Sequence, residues 1–595
     1  MRKILALILA ACMIVLAGCG TGSQDNDIAD MVYIGKVVTM DEKGTIAEAV
    51  AVKGGKIIFV GTSEEAKKYA DKKTAVLDYG SNVIYPGFID GHSHVGVMAT
   101  MLCNGAILDN TVMLRQNAEI MKKYIEEHPG QEVYKGMNFW INEGDPDEPS
   151  HEVLDKYASD KVPIIIFGGG GHDAILNQKA IEYFKVKDLI STYGTDGIKV
   201  DEKGEPTGYL AETPRFDIAQ LIPISKEELK EFYFTIQDMA IQNGYTCICD
   251  AGIVETEKLP MVSALKELAQ EGKLKLKIRA LCEIADISKD PMGEVDKIAK
   301  LAASCDNDYF KITGVKVYLD GVVEALTAWT LNPYTEAAGK GDNYYGYIRW
   351  NESRKAELTE VIKKANEKGL QVQMHAIGEG AATYGLDCYE AAKAALSDTD
   401  ARNGLCHLAY TTDDMIKRFA DNDVIAYVNP QWTTWKSGAK ENEIKTYGET
   451  DARKMYRVKA FFDAGVITSF HTDGAGNIPK MMFTAATRKD PTGEQIRQNK
   501  MYISEETLKA FPDEIRGEEE RIDAMTSLRA LTTTPAYCVK EEANLGSIEV
   551  GKSADFTIYN TDFTDDENVS NVSCLDATLL SVFSNGRMIF PANLF

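Results

Sequence analysis

From residue 31 onward the chain alternates between two kinds of hydrophobic pattern. Near both ends, short apolar runs sit between turn residues: 32–34, 36–40, 49–53 and, after Gly54-Gly55, 56–60, then 555–559, 579–583 and 587–590, with Asn585-Gly586 as a hairpin turn. Neither set is large enough to enclose a core. Pairing of 31–86 with 541–595 into one small β-sandwich-like domain is therefore expected. Between them, strand-like apolar runs recur at 87–89, 246–249, 278–283, 315–319, 370–374, 405–406, 424–428 and 466–470. Amphipathic helical stretches such as 257–270, 353–368 and 452–463 separate most of them. Repeated strand–helix units predict an α/β fold, a (β/α)8 TIM barrel over 87–540. The gap between the first two runs is wide and holds its own strand and helix signals at 163–167 and 177–183. It predicts a subdomain at 100–240, inserted after barrel strand 1 and lying over the barrel mouth.

The first thirty residues follow another rule. Arg2 and Lys3 precede an apolar run over 4–16, which is too short to cross a bilayer as a mature helix and reads as a secretory signal. Its end, Leu16-Ala17-Gly18-Cys19, resembles a bacterial lipobox. The expectation is a signal peptide over 1–18, a lipidated Cys19, a polar tether over 19–30, and an exported protein attached to the cell membrane only by that anchor. The net charge of −25 argues against nucleic acid or anionic lipid surfaces as partners. Besides Cys12 and Cys19 the chain has nine scattered cysteines and no C-x-x-C pair, which argues for buried free thiols and against a thiolate zinc site.

Candidate chemistry lies in the eight histidines. Metal sites in barrels form where side chains converge at the C-terminal ends of strands. His92 and His94 follow the first barrel run, and a spacing of two on extended chain turns both imidazoles to one side. His375 closes the fifth run, His407 the sixth, and Asp473 stands just beyond the eighth in His471-Thr472-Asp473. Lys316 lies inside the fourth. Each alone is an ordinary core or surface residue; the set points to a metal centre. His128 and His151 lie in polar context and read as surface residues.

These residues carry a resemblance. Pro86-Gly87-Phe88-Ile89-Asp90-Gly91-His92-Ser93-His94, the segment 204–212, Val315 to Gly321, His375-Ala376-Ile377-Gly378-Glu379 and the segment 546–555 together resemble the amidohydrolase superfamily. Within it they are similar to the family-3 group that includes N-substituted formamide deformylases. The resemblance implies a divalent metal, zinc being expected, as one or two ions: His92 and His94 on the more buried site, His375 and His407 on the second, and a carboxylated Lys316 bridging them. Asp473 would bind metal, take the proton of the attacking water and pass it to the departing amine. His172, after the glycines 168–171, matches a segment expected to face substrate, and His471 is expected to donate to substrate or orient Asp473. Three positions depart from the group's pattern: Glu379 for Asp, Cys406 for an acidic residue, and His471-Thr472-Asp473 for Gly-Ser-Asp. The implied activity is hydrolysis of a carbon–nitrogen bond in a small amide or N-acyl or N-formyl compound. Opening of a cyclic amide, deamination, or a non-catalytic lipoprotein that captures a small molecule stay open as alternatives, as does a homo-oligomer.

Overall fold

The computed structural model describes residues 28–141, 145–286, 288–396, 400–435, 437–474, 476–498, 511 and 513–591. The signal segment 1–18, Cys19 and most of the tether lie outside the described residues. Strands β1 (Met31–Val38), β2 (Ile46–Lys53), β3 (Lys56–Gly61) and β4 (Ala75–Pro86) open the chain, and β5 (Phe88–Ser93) starts the barrel. Then come β6 (Gly105–Ile107), β7 (Tyr134–Phe139), β8 (Ile164–Gly168), β9 (Asp173–Leu176), β10 (Ile198–Val200) and β11 (Pro206–Ala211). These six form a separate sheet in the order β10-β11-β9-β8-β7-β6.

The barrel resumes with β12 (Tyr245–Ile253), β13 (Lys277–Glu283), β14 (Phe310–Tyr318), β15 (Gln371–Ala376), β16 (Gly404–His407), β17 (Ile425–Val428) and β18 (Thr468–Phe470). From β5 through β12 to β18, each strand pairs in parallel with the next. Parallel strands covered by helices are buried on both faces, which is why they read as continuous apolar runs; every residue of β12 is buried. A backbone bond from Asp473 N–H to the carbonyl of His92 (3.1 Å) bridges β18 and β5 and brings the ring together. The fold is thus the expected α/β barrel with additional sheets. Strands β19 (Phe556–Tyr559), β20 (Leu579–Ser584) and β21 (Arg587–Phe590) join the first four in one seven-stranded sheet, β21-β20-β19-β4-β1-β2-β3.

The helix Lys226–Gln242 starts at a capping box in which Ser225 and Glu228 satisfy each other's backbone N–H groups. Its buried face, including Leu229, Phe232, Ile236 and Ile241, packs into the barrel's main core. It falls within the span assigned above to the inserted unit, yet it is a barrel helix. Helical periodicity announces an apolar face and not the body that covers it. The short helix Thr533–Cys538 plugs the barrel floor. Ala536 packs on Ile89 and Cys247, Cys538 on Cys406 and Tyr427, and the following Val539 on Cys249 and Leu281. All nine cysteines from Cys103 to Cys574 are buried and unpaired.

Candidate metal centre

Strand β5 delivers His92, and His94 follows at the start of the helix Val95–Leu102. Their Nε2 atoms lie 3.2 Å apart in the barrel mouth. Each ring is fixed from behind. The Nδ1 of His92 bonds the Gln373 side chain on β15, and the Nδ1 of His94 bonds the carbonyl of Ala251 on β12 at 2.7 Å. Committing both Nδ1 protons outward leaves both Nε2 lone pairs facing one another. Asp473 places Oδ1 3.4 Å from His92 Nε2 and 3.5 Å from His94 Nε2. His407 ends β16 with neither ring nitrogen hydrogen-bonded. Donor atoms of His92, His94, His407 and Asp473 all lie within 4.8 Å of one another. His407 (φ 83°) and Asp473 (φ 64°) both occupy the left-handed region, an arrangement that surrounding structure must enforce.

Burial pushes the four ring pKa values of His92, His94, His375 and His407 down, that of His94 to about 4. Burial thus favours the neutral ring, the state in which an imidazole can coordinate a metal. Burial works against ionisation of Asp473, but His407, His94 and His92 outweigh it and hold its carboxyl well below the ordinary range. Lys316, fully buried on β14, puts Nζ 3.3 Å from His92 Nε2. Among the described residues no carboxylate pairs with it, and burial lowers its pKa.

His375 stands beside the group of four. Its ring is 4.6 Å from that of His407, but its Nε2 bonds the carbonyl of Gly321 at 3.0 Å. His471, beyond β18, is fully buried against His92 and His407 with both nitrogens lacking a partner. Sequence reasoning missed Asp90. This buried carboxyl accepts from Thr472 Oγ1, from Thr472 N–H (3.0 Å) and from His92 N–H (3.3 Å), tying the loop that carries Asp473 to the strand that carries His92. Burial raises its pKa to about 7. A carboxyl two positions before His92 in a wholly buried strand was the available signal.

A cavity of about 600 Å³ opens on Asp473 and extends between barrel loops and the inserted sheet. Trp432 and Val322 line it from the barrel, Trp140, His172 and Glu212 from the insertion. The glycines before His172 form the turn from β8 to β9, and a Cβ at Gly169 would sit 2.1 Å from Trp140 Nε1, so only glycine admits that indole. His172 Nδ1 bonds Glu212 Oε2 at 3.0 Å. Glu212 closes the segment 204–212 quoted above, but no sequence pattern pairs it with His172. His128 stacks on Tyr124 and His151 bonds Asp155, each within the inserted unit.

The orphaned nitrogens of His407 and the lone carboxylate oxygen of Asp473 are what a site for a divalent cation requires: buried donors left without protein partners. The chain matches the amidohydrolase family over residues 75–589. It is 23% identical over 562 residues to an N-substituted formamide deformylase of Arthrobacter pascens, covering 90% of this chain and 94% of that protein. It is 24% identical over 583 residues to the protein LONG AFTER FAR-RED 3 of Arabidopsis thaliana, covering 95% and 92%. In fold it is similar to a metal-dependent hydrolase from Pyrococcus horikoshii, with a TM-score of 0.67 at 20% identity, covering 90% of this chain and 98% of that one.

Proposed function

We propose that this chain, which belongs to the amidohydrolase family, hydrolyses a carbon–nitrogen bond of a small amide, an N-formyl or N-acyl amine, with a divalent metal at the barrel mouth. The observation that carries the reading is the convergence of His92, His94, His407 and Asp473 on one buried point. Zinc suits imidazole nitrogen and carboxylate oxygen donors. Burial lowers the pKa of Lys316, and an amine so close to His92 is a competent site for carboxylation, which would replace a repelled cation by an anionic ligand. His375 would join a second ion by releasing Gly321.

A divalent cation supplies Lewis acidity here, lowering the pKa of water toward neutrality and polarising a carbonyl. The protein's residues do the rest. His92 and His94 are held by Gln373 and Ala251 so that they cannot turn away. Asp473, ionised and fixed by the loop that Asp90 anchors, accepts the proton of the attacking water. His471 packs on the ligands and would hold the substrate carbonyl or the Asp473 loop. Trp432 and the inserted sheet wall the cavity that opens on Asp473. In this reading Cys19 carries a lipid, and the enzyme works on exported substrates while tethered to the membrane.

The family relation to a formamide deformylase supports an amide over a cyclic amide or an aminopurine-like ring, both of which remain comparison substrates. The test is metal analysis of the purified protein together with turnover on formyl and acetyl amides of primary amines, cyclic imides and aminopurines. Stoichiometric metal with release of amine is expected. Metal-loaded protein that binds the amides and never cleaves them would turn the reading into that of a capturing lipoprotein.

A further inference from the structure

A cavity of about 600 Å³ has room for much more than a formyl or acetyl group, and part of its wall plays no role in the chemistry described above. That part belongs to the inserted sheet. Asp173 lines the cavity at the start of β9, where its carboxylate accepts from Tyr209 O–H on β11 at 3.3 Å. Among the described residues it makes no ion pair. The Arg215 guanidinium acts on it only at longer range and lies over the rings of Phe167 and Phe216, at 4.8 and 4.4 Å. The imidazole of His172 is turned to Glu212. Burial raises the pKa of Asp173, so its negative charge is left short of compensation.

The backbone is shaped around this carboxylate. A Cβ at Gly168 would lie 1.8 Å from Asp173 Oδ1 and one at Gly169 2.1 Å from Trp140 Nε1, so two consecutive glycines admit a carboxylate and an indole to the same bend. Trp140, 47% exposed, and Tyr209 both line the cavity here. A carboxylate without a cation, set beside aromatic rings, suits an ammonium: the carboxylate pairs with the charge and the ring faces attract it. The rest of the wall has the same sign. Glu212, Glu324 and Asp473 are acidic, whereas Lys340 is the one lysine or arginine among the described lining residues. The reach from the metal centre is short. The rings of His94, Tyr318, Phe216 and His172 follow one another with centres 5.9, 5.9 and 5.4 Å apart, which puts the neighbour of Asp173 within three ring spacings of a metal ligand.

Resting on the hydrolase reading above, we propose that Asp173, with Trp140 and Tyr209, forms a second subsite that holds a protonated amine, and that the substrates are diamines acylated on one nitrogen and charged on the other. The amide lies at the metal centre, and a chain of several methylenes carries the free ammonium to Asp173.

The test is a series of mono-N-formyl and mono-N-acetyl derivatives of straight-chain diamines with four to six carbons, set against N-alkyl amides of matching length that lack the terminal nitrogen. With metal-loaded wild type, kcat/KM for the best charged amide is expected to exceed that of its uncharged counterpart about 50-fold, mostly through KM. Asp173→Asn should bring the ratio to within about 3-fold and Trp140→Leu should lower it about 5-fold, with bound metal and melting temperature matching wild type. Binding is read separately, by calorimetry of the metal-free protein with the free diamine, where Asp173→Asn should weaken Kd about 50-fold. A ratio near one at every chain length, or a preference that survives Asp173→Asn, would overturn the subsite and leave the hydrolase reading standing. Diamine binding that depends on Asp173 in a protein that cleaves none of the amides would overturn the hydrolase reading and keep the cation site.

Discussion

The barrel carries buried ionisable groups at both ends of its ring and treats them in opposite ways. At the floor each has its complement. Lys277 meets Asp555 from the C-terminal part of the chain and also reaches Ser584 and Asn585. Arg279 and Lys311 share Glu541 at 3.0 and 2.8 Å. At the mouth, a strand length away, His407, His471 and the Oδ1 of Asp473 have no hydrogen-bond partner among the described residues, and Lys316 makes no ion pair there, feeling Asp473 and Glu283 only at longer range. Leaving such groups unpaired in the interior costs roughly 1–3 kcal/mol each, so a chain that pairs them at one end and not at the other marks the unpaired end as the place for a ligand. The floor fastens the terminal sheet to the barrel; the mouth is held ready.

Three experiments can break or sharpen that contrast. The largest effect is expected at the mouth. Asp473→Asn keeps the shape and suits the left-handed backbone at this position, so the metal-free protein should unfold at the wild-type denaturant concentration while kcat falls about 10³-fold. Full activity with bound metal would remove Asp473 from the proton's path. Next comes the floor. Lys277→Met strands Asp555 in a site where both side chains are under 5% exposed, and should cost about 3 kcal/mol in chemical denaturation with kcat per folded molecule unchanged. A loss of activity without a loss of stability there would erase the division of labour.

The smallest effect concerns Asp250, a buried carboxyl on β12 behind the centre. One oxygen accepts from Gly96 N–H at 2.9 Å and the other is unpartnered. Burial raises its pKa to about 7, against about 3.9 in an unfolded chain. Between those values the unfolded chain gives up a proton that the folded one keeps, so this group's contribution to stability falls as pH rises from about 4 to 7 and then levels off. Asp250→Asn removes the slope. It should melt about 2 °C above wild type at pH 8 and show no gain at pH 4. A constant offset at both pH values would mean that packing, not charge, sets the difference.

Much of the barrel was legible because buried parallel strands are continuous apolar runs, and all eight barrel strands overlap such a run. His92 and His94 were legible through their spacing, and His407 and Asp473 through their places at strand ends. What the pattern could not carry was partnership at long range. Gln373, Asp90 and Glu212 act through residues 281, 382 and 40 positions away, and each looks in sequence like an isolated polar residue. His375 illustrates the opposite limit: its place at a strand end was readable, but the direction of its ring toward Gly321 depends on a loop whose path no periodicity describes. The same holds for the plug at 533–538, where Ala536 and Cys538 pack on barrel residues more than 100 positions away.

The bond between Asp473 N–H and the carbonyl of His92 joins the first barrel strand to the last. During synthesis the two histidines therefore emerge long before the carboxylate that faces them. No nascent or truncated chain ending ahead of residue 473 can assemble the full ligand set, so competence to capture a cation arrives late and all at once.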